Sequence, residues 1–224
     1  MRRVASFFFH STGSDSIDKL LGGGYRAGTL TELFGKSNSG KTQLAMQAIL
    51  VAARDGMKSL YIDTEGAFRP ERVEGIARAR GWGVDGVLEK MVYTRCDSSS
   101  EQVETVRRMS SRPATSDCRL VIIDTLTRNF SLDLPGGGNL SSRQGALDVH
   151  LSEMARDAYL NDRAYLLTNR VTFGATREVG IGGKTLAQLV STSVLLERTQ
   201  DKIKATTISN GDSATASVGP FGVD

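Results

Sequence analysis

Clustered cysteines, long apolar runs and a strong charge of one sign are all missing from this chain. Its only two cysteines, Cys96 and Cys118, show neither metal-ligand nor redox spacing. A disulfide between them stays open, with two free thiols in a reducing compartment as the expectation. The apolar stretch Phe7-Phe8-Phe9 is preceded by Ser6 and stopped by His10. It is too short for a signal peptide and far too short to span a bilayer, so residues 1–10 read as a packing strand or arm. No later segment is long and apolar enough to cross a membrane, and a cytoplasmic protein is expected. The net charge of +3 does not by itself imply nucleic-acid binding, although basic residues can still cluster locally. No internal repeat or low-complexity segment is present. What remains is a 224-residue chain, 39% hydrophobic, suited to one globular domain over residues 1–224 with a substantial core.

The strongest signal is Gly35-Lys36-Ser37-Asn38-Ser39-Gly40-Lys41-Thr42. It fits the P-loop pattern G-x-x-x-x-G-K-[ST], in which backbone N–H groups turn inward around a polyphosphate. Lys41 would reach the β- and γ-phosphates, and the Thr42 hydroxyl would ligate Mg²⁺. The context agrees. Leu30 and Leu33 with β-branched Thr29 and Thr31 make a strand before the loop, and Leu44, Ala48 and Val51 recur at helical spacing after it. The helix would aim its positive N-terminal end at the phosphates.

Further strands are expected at Ser59-Leu60-Tyr61-Ile62-Asp63, Met91-Val92-Tyr93-Thr94-Arg95 and residues 119–125. The last is a continuous apolar run, as a parallel strand buried on both faces requires. It ends in Asp124, about 80 residues after the P-loop, where a Walker B carboxylate would hold Mg²⁺ directly or through water. Asp63, Glu65 and Arg72 lie just beyond the carboxyl end of their strand, where ligands of α/β sheets bind. Glu65 is a candidate general base for an attacking water. Pro70 suits the first turn of a helix running to about Arg80, and Ser98 can cap another that ends by Arg112-Pro113. Residues 132–139 read as a flexible loop, followed by a helix with Leu147, Leu151, Met154 and Ala158 on one face. A strand over residues 164–168 leads to Asn169-Arg170 and then to a second Gly-rich loop over residues 172–184. That loop carries Phe173, Arg177 and Lys184, which would bind a single strand by charge and stacking or stand as ordinary solvated residues. Residues 192–198 and 202–209 form a terminal hairpin about Gln200-Asp201, with residues 214–218 as an edge strand.

Four stretches resemble the ATPase core of RecA/RadA-type recombinases from about Ser11 onward. They are residues 12–24, Gly40-Lys41-Thr42-Gln43, Tyr61-Ile62-Asp63-Thr64-Glu65-Gly66-Ala67-Phe68-Arg69-Pro70-Glu71-Arg72, and Leu140-Ser141-Ser142-Arg143-Gln144. The resemblance implies an α/β, RecA-like P-loop ATPase core: a mostly parallel sheet flanked by helices, with antiparallel C-terminal strands. It makes Glu65 the catalytic glutamate, Arg72 an arginine stacked on adenine, and residues 35–43 with Asp124 the site for ATP and Mg²⁺. It makes the two Gly-rich loops, with Arg143, DNA-binding elements.

The departures are equally specific. Gly137 stands where that family usually has an arginine, and Arg170 where it has a glutamine that couples the γ-phosphate to the second loop. Arg170 would then contact the γ-phosphate or pair with an acidic neighbour. Phe7-Phe8-Phe9-His10 does not fit the family's subunit-linking motif, no N-terminal helical domain is expected, and the proline segment that caps a neighbour's ATP is not recognisable in residues 210–220. In these respects the chain is similar to the short archaeal RadB group of paralogues. That similarity implies an accessory protein of recombination and repair that binds ATP, hydrolyses it weakly, and binds single-stranded DNA and a RadA-type recombinase. The competing expectations are a minimal filament-forming strand-exchange recombinase and a nucleotide-stabilised protein adaptor; a homo-oligomer stays open throughout.

Overall fold

The computed structural model describes residues 8–83, 86–173, 178–219 and 222–224, with 172, 173 and 178–180 as backbone only. In chain order the elements begin with β1 (Phe9–His10), α1 (Asp15–Leu20), β2 (Tyr25–Arg26), β3 (Leu30–Phe34), α2 (Lys41–Arg54), β4 (Ser59–Asp63), α3 (Pro70–Ala79), β5 (Met91–Arg95) and α4 (Ser99–Arg108). They continue with β6 (Leu120–Asp124), α5 (Arg128–Asp133), α6 (Leu140–Asn161), β7 (Ala164–Asn169), β8 (Val171–Phe173), β9 (Glu178–Gly180) and α7 (Gly183–Leu189). The C-terminal strands are β10 (Thr192–Thr199), β11 (Lys202–Thr207), β12 (Ser213–Gly219) and β13 (Gly222–Val223).

Nine of these strands form one sheet in the order β13-β12-β11-β10-β3-β7-β6-β4-β5. From β10 to β5 every pairing is parallel; from β10 to β13 every pairing is antiparallel. The sequence explains the parallel half. Along β6, Leu120 and Ile122 pack into the core on one face, and Val121 and Ile123 into the core on the other. Tyr165 and Leu167 of β7 oppose Ala164 and Leu166 in the same way. A strand with helices on both faces needs apolar residues at every position, not every second one. α2 and α3 cover one face, and α4, α5 and α6 the other. Cys96 and Cys118 are both buried free thiols.

Several expectations change. Residues 132–139 are not wholly loop: Leu132 and Asp133 complete α5, anchored by Phe130, which is buried in the core. Residues 172–184 are not one loop either. β8 and β9 pair antiparallel, Val171 opposite Gly180, and α7 starts at Gly183. The helix capped by Ser98 ends at Arg108 and passes into a 3-10 turn over Met109–Ser111 before Arg112. β12 is not the sheet edge, because β13 pairs outside it. Of the N-terminal arm, Phe9–His10 is a strand paired with β2, and residues 1–7 lie outside the described residues. Among the described residues no helix is long and apolar enough to cross a membrane.

Candidate active site

The carboxyl ends of β3, β4, β6 and β7 converge on one cleft. It encloses about 530 Å³ and is lined by residues 35–43 with Glu65, Ala67, Arg72, Asp124, Thr125, Arg170, Val171 and Arg198. Every nucleotide-site residue expected from the sequence is in that lining: Gly35, Lys36, Ser37, Asn38, Ser39, Gly40, Lys41, Thr42, Gln43, Glu65, Arg72, Asp124 and Arg170.

The loop from β3 to α2 is shaped for an anion. Gly40 precedes α2 at φ 101°, and a Cβ there would lie 2.3 Å from the Ile203 side chain of β11. At Gly35 a Cβ would come within 2.4 Å of the Leu196 carbonyl oxygen of β10. Only glycine lets the loop pass this close to the antiparallel strands. The first turn of α2 holds no acidic residue and no side-chain cap, so its amide N–H groups face the cleft as an anion cradle. Lys41 donates from Nζ to the carbonyl oxygens of Gly35 and Lys36, at 2.9 and 2.8 Å, and to Ser39 Oγ at 3.1 Å. Burial pushes its ammonium below the usual lysine range, the carboxylates of Asp124 and Glu65 pull it back up, and Arg170 adds to the lowering. A buried lysine with a second cation, Arg170, nearby gains from a polyanion placed beside it. These features fit a polyphosphate.

Asp124 ends β6 almost fully buried. Its Oδ2 accepts a 2.6 Å hydrogen bond from the Tyr61 hydroxyl, and its Oδ1 accepts from the Thr168 hydroxyl. Burial, and then the Asp124 charge, push the Tyr61 hydroxyl well above the ordinary tyrosine range, so it stays a donor. The two hydroxyls fix the carboxylate in the cleft that Thr42 also lines, with lone pairs left over for Mg²⁺ or its waters. Among the described residues no cluster of three histidine, cysteine or acidic side chains offers a metal cage. Thr42 and Asp124 offer oxygen donors only, the donor type that Mg²⁺, a hard cation, takes from one or two protein groups and substrate phosphates.

Glu65 reaches the cleft from the loop after β4, and Asp63 puts it there. Asp63 does not meet the cleft, as its position in sequence suggested; it is 1% exposed and turned into its own loop. Asp63 Oδ1 accepts from the N–H groups of Glu65 at 2.9 Å and Gly66 at 2.7 Å, and Oδ2 accepts from that of Phe68 at 3.1 Å and from the Tyr93 hydroxyl at 3.1 Å. A buried carboxylate spends its lone pairs on backbone amides that would otherwise be orphaned. Glu65 Oε1 accepts from Thr125 Oγ1 at 3.1 Å and from Arg170 Nη2 at 2.7 Å. Arg72 Nη2 donates to Gln43 Oε1 at 3.1 Å, which joins the start of α3 to the start of α2 across the cleft. Tyr61, Thr125 and Thr168 are site residues the sequence reading missed. Their roles follow from the register of β4, β6 and β7, which no short stretch of sequence specifies.

The basic residues expected to touch DNA divide. Arg143 and Lys184 line a second cavity of about 760 Å³ with Gln144, Gly182 and Gly183 at the starts of α6 and α7. Phe173 is described only by its backbone in β8, and Arg177 lies outside the described residues. This second cavity also reaches Glu32 of β3. Burial raises the Glu32 carboxyl above the usual carboxylate range, and hydrogen bonds from Asn169 and Ser193 oppose the rise.

A sequence profile of the Rad51 family matches residues 3–219. The chain is also 34% identical over 201 residues to the DNA repair and recombination protein RadA of Aeropyrum pernix, an alignment covering 85% of this chain and 63% of that protein. It thus spans less than two thirds of the length of that curated relative. A P-loop cradle, a buried carboxylate beside it and a match over nearly the whole length lead to one conclusion: the chain belongs to the Rad51 family.

Proposed function

We propose that the chain binds Mg·ATP in the P-loop cleft, hydrolyses it slowly, and acts with DNA as an accessory factor of recombination and repair. The Rad51 family comprises ATPases, and this supports the hydrolysis reading. The observation that carries the reading is the convergence of Lys41, Thr42, Asp124, Glu65 and Arg72 on one cleft. Lys41 and the α2 amides bind the phosphates, Arg72 faces the base, and Glu65 orients the attacking water and takes its proton. Thr42 and Asp124 would hold Mg²⁺. When bound, that ion supplies charge neutralisation on the phosphate oxygens. Arg143, half-buried near the start of α6, and Lys184, exposed near the start of α7, supply phosphate contacts to a single strand.

The accessory role is favoured by Gly137 and Arg170, each of which replaces a residue expected in a strand-exchange enzyme. Sedimentation of the chain with Mg²⁺ and a slowly hydrolysed ATP analogue, with and without single-stranded DNA, tests it. Small species that bind DNA without growing are expected. Particles whose size follows DNA length would make the chain a filament-forming recombinase instead. Small species with no DNA binding would point to a nucleotide-stabilised adaptor.

A further inference from the structure

The ion pair between Arg170 and Glu65 is the only contact of its kind among the described residues to reach a candidate catalytic group. Its two partners stand just beyond the ends of two different strands, Glu65 after β4 and Arg170 after β7, and both line the nucleotide cleft. We infer that Arg170 is a latch on Glu65: it ties the carboxylate away from the attacking water, and movement of residues 181–183 opens it. This rests on the ATPase reading above.

In hydrolysis the water oxygen forms a bond to the γ-phosphorus and the bond from that phosphorus to the bridging oxygen breaks. ADP leaves with the electron pair, and a water proton passes to Glu65. That last transfer needs a carboxylate oxygen free to face the water. Oε1 already accepts from Arg170 at 2.7 Å and Thr125 at 3.1 Å, so only Oε2 is left to face the water, and the bonds to Oε1 set its direction. Protonating the carboxylate also breaks its ion pair. Arg170 therefore adds a cost to every turnover.

The second half of the inference follows from how the arginine is mounted. Its side chain is 60% exposed and able to swing, but its backbone is fixed at both ends. The Arg170 N–H donates to Asn169 Oδ1 at 2.9 Å, and its carbonyl accepts from the Ile181 N–H at 3.1 Å. Asn169 Nδ2 in turn donates to the Ile181 carbonyl at 2.6 Å and to Glu32 Oε1 at 2.8 Å, while Thr127 donates to Asn169 Oδ1 at 2.9 Å. Arg170 thus moves with Ile181. Ile181, Gly182, Gly183 and Lys184 form one side of the second cavity. A strand bound there that displaces residues 181–183 shifts the guanidinium relative to Glu65. One continuous set of hydrogen bonds connects the two cavities.

The test is steady-state phosphate release with ATP titrated calorimetrically in parallel, for the wild-type chain, Arg170→Gln, Arg170→Lys and Lys41→Ala, with and without a single-stranded oligonucleotide. A partly exposed ion pair supports a change of roughly two- to fivefold. Arg170→Gln should raise kcat by about that factor, leave ATP affinity within about twofold, and lose most of the stimulation by the oligonucleotide. Arg170→Lys, which keeps the charge, should stay near the wild type. ATP binding intact with kcat unchanged or lowered in Arg170→Gln overturns the latch alone. Equal stimulation by the oligonucleotide in both chains overturns its link to residues 181–183. Failure of the wild-type chain to bind ATP overturns the ATPase reading and the latch together.

Discussion

An arginine flanks each end of β7 and is paired with a carboxylate, and the pairs differ in almost every other respect. At the start of the strand, Arg163 is 2% exposed and contacts Asp157 through Nη1 at 3.1 and 3.2 Å, with the Ser116 carbonyl at 2.9 Å from Nη2. The Tyr165 hydroxyl donates to the same carboxylate at 2.7 Å. At the other end Arg170, 60% exposed, makes one bond to Glu65. The first guanidinium has nowhere to go and several fixed acceptors; the second has room and one. A buried, multiply bonded ion pair costs much to break, whereas an exposed single contact exchanges at little cost. The same side-chain chemistry therefore serves as a bolt on one side of the sheet and as a movable contact on the side where the nucleotide cleft opens.

That contrast orders the expected effects of substitution. Arg163→Ala leaves Asp157 without its charge partner, and loss of one member of such a pair costs about 3–5 kcal/mol of stability; chemical denaturation reads it directly. An Arg163 variant no less stable than an Arg170 variant would break the comparison. Lys41→Ala should weaken ATP binding by roughly ten- to a hundredfold, the range for a bond between charged groups, with the melting temperature in the absence of nucleotide little changed. Calorimetric titration separates those two effects.

Acid should lower stability through two buried histidines. Burial lowers His150 to about 3 and His10 to about 4. Both are neutral when folded and take a proton more readily when unfolded. Their contribution is therefore whole above the ordinary histidine value near 6.5 and is lost as pH falls below it toward the folded values. At pH 5 His150 alone costs about 2 kcal/mol. His150→Gln should flatten the fall in melting temperature between pH 6.5 and 5, and an unchanged slope would remove His150 as its source. The Arg170→Gln effect on turnover, a few-fold at most, is the smallest and sharpens the comparison from the other side.

Much of this was written locally. The loop at residues 35–42 is a fixed backbone shape with its own glycines, and β4, β5 and α3 occupy the residues that their apolar pattern, Pro70 and flanking turns indicate. The elements that were missed depend on partners far away in sequence. α5 is only 6 residues long and exists because Asn129 and Phe130 are buried against neighbouring elements. β8 and β9 are 3 residues each and hold only as a pair. Asp63 read as a cleft residue because strand-end carboxylates usually are. Its neighbours Tyr93 and Arg95 come from β5, so its real task becomes visible only once β4 and β5 are in register. The same holds for Tyr61, which finds Asp124 across the β4–β6 pairing.

In the proposed mechanism Glu65, delivered by the Asp63 turn and restrained by Arg170, is the base of a P-loop ATPase. The measurement that tests it most directly is ATP binding and phosphate release by Glu65→Gln beside the wild-type chain. The account predicts that the variant binds Mg·ATP as tightly as the wild type and releases phosphate only at background. Phosphate release at the wild-type rate in a variant that binds ATP normally would contradict it.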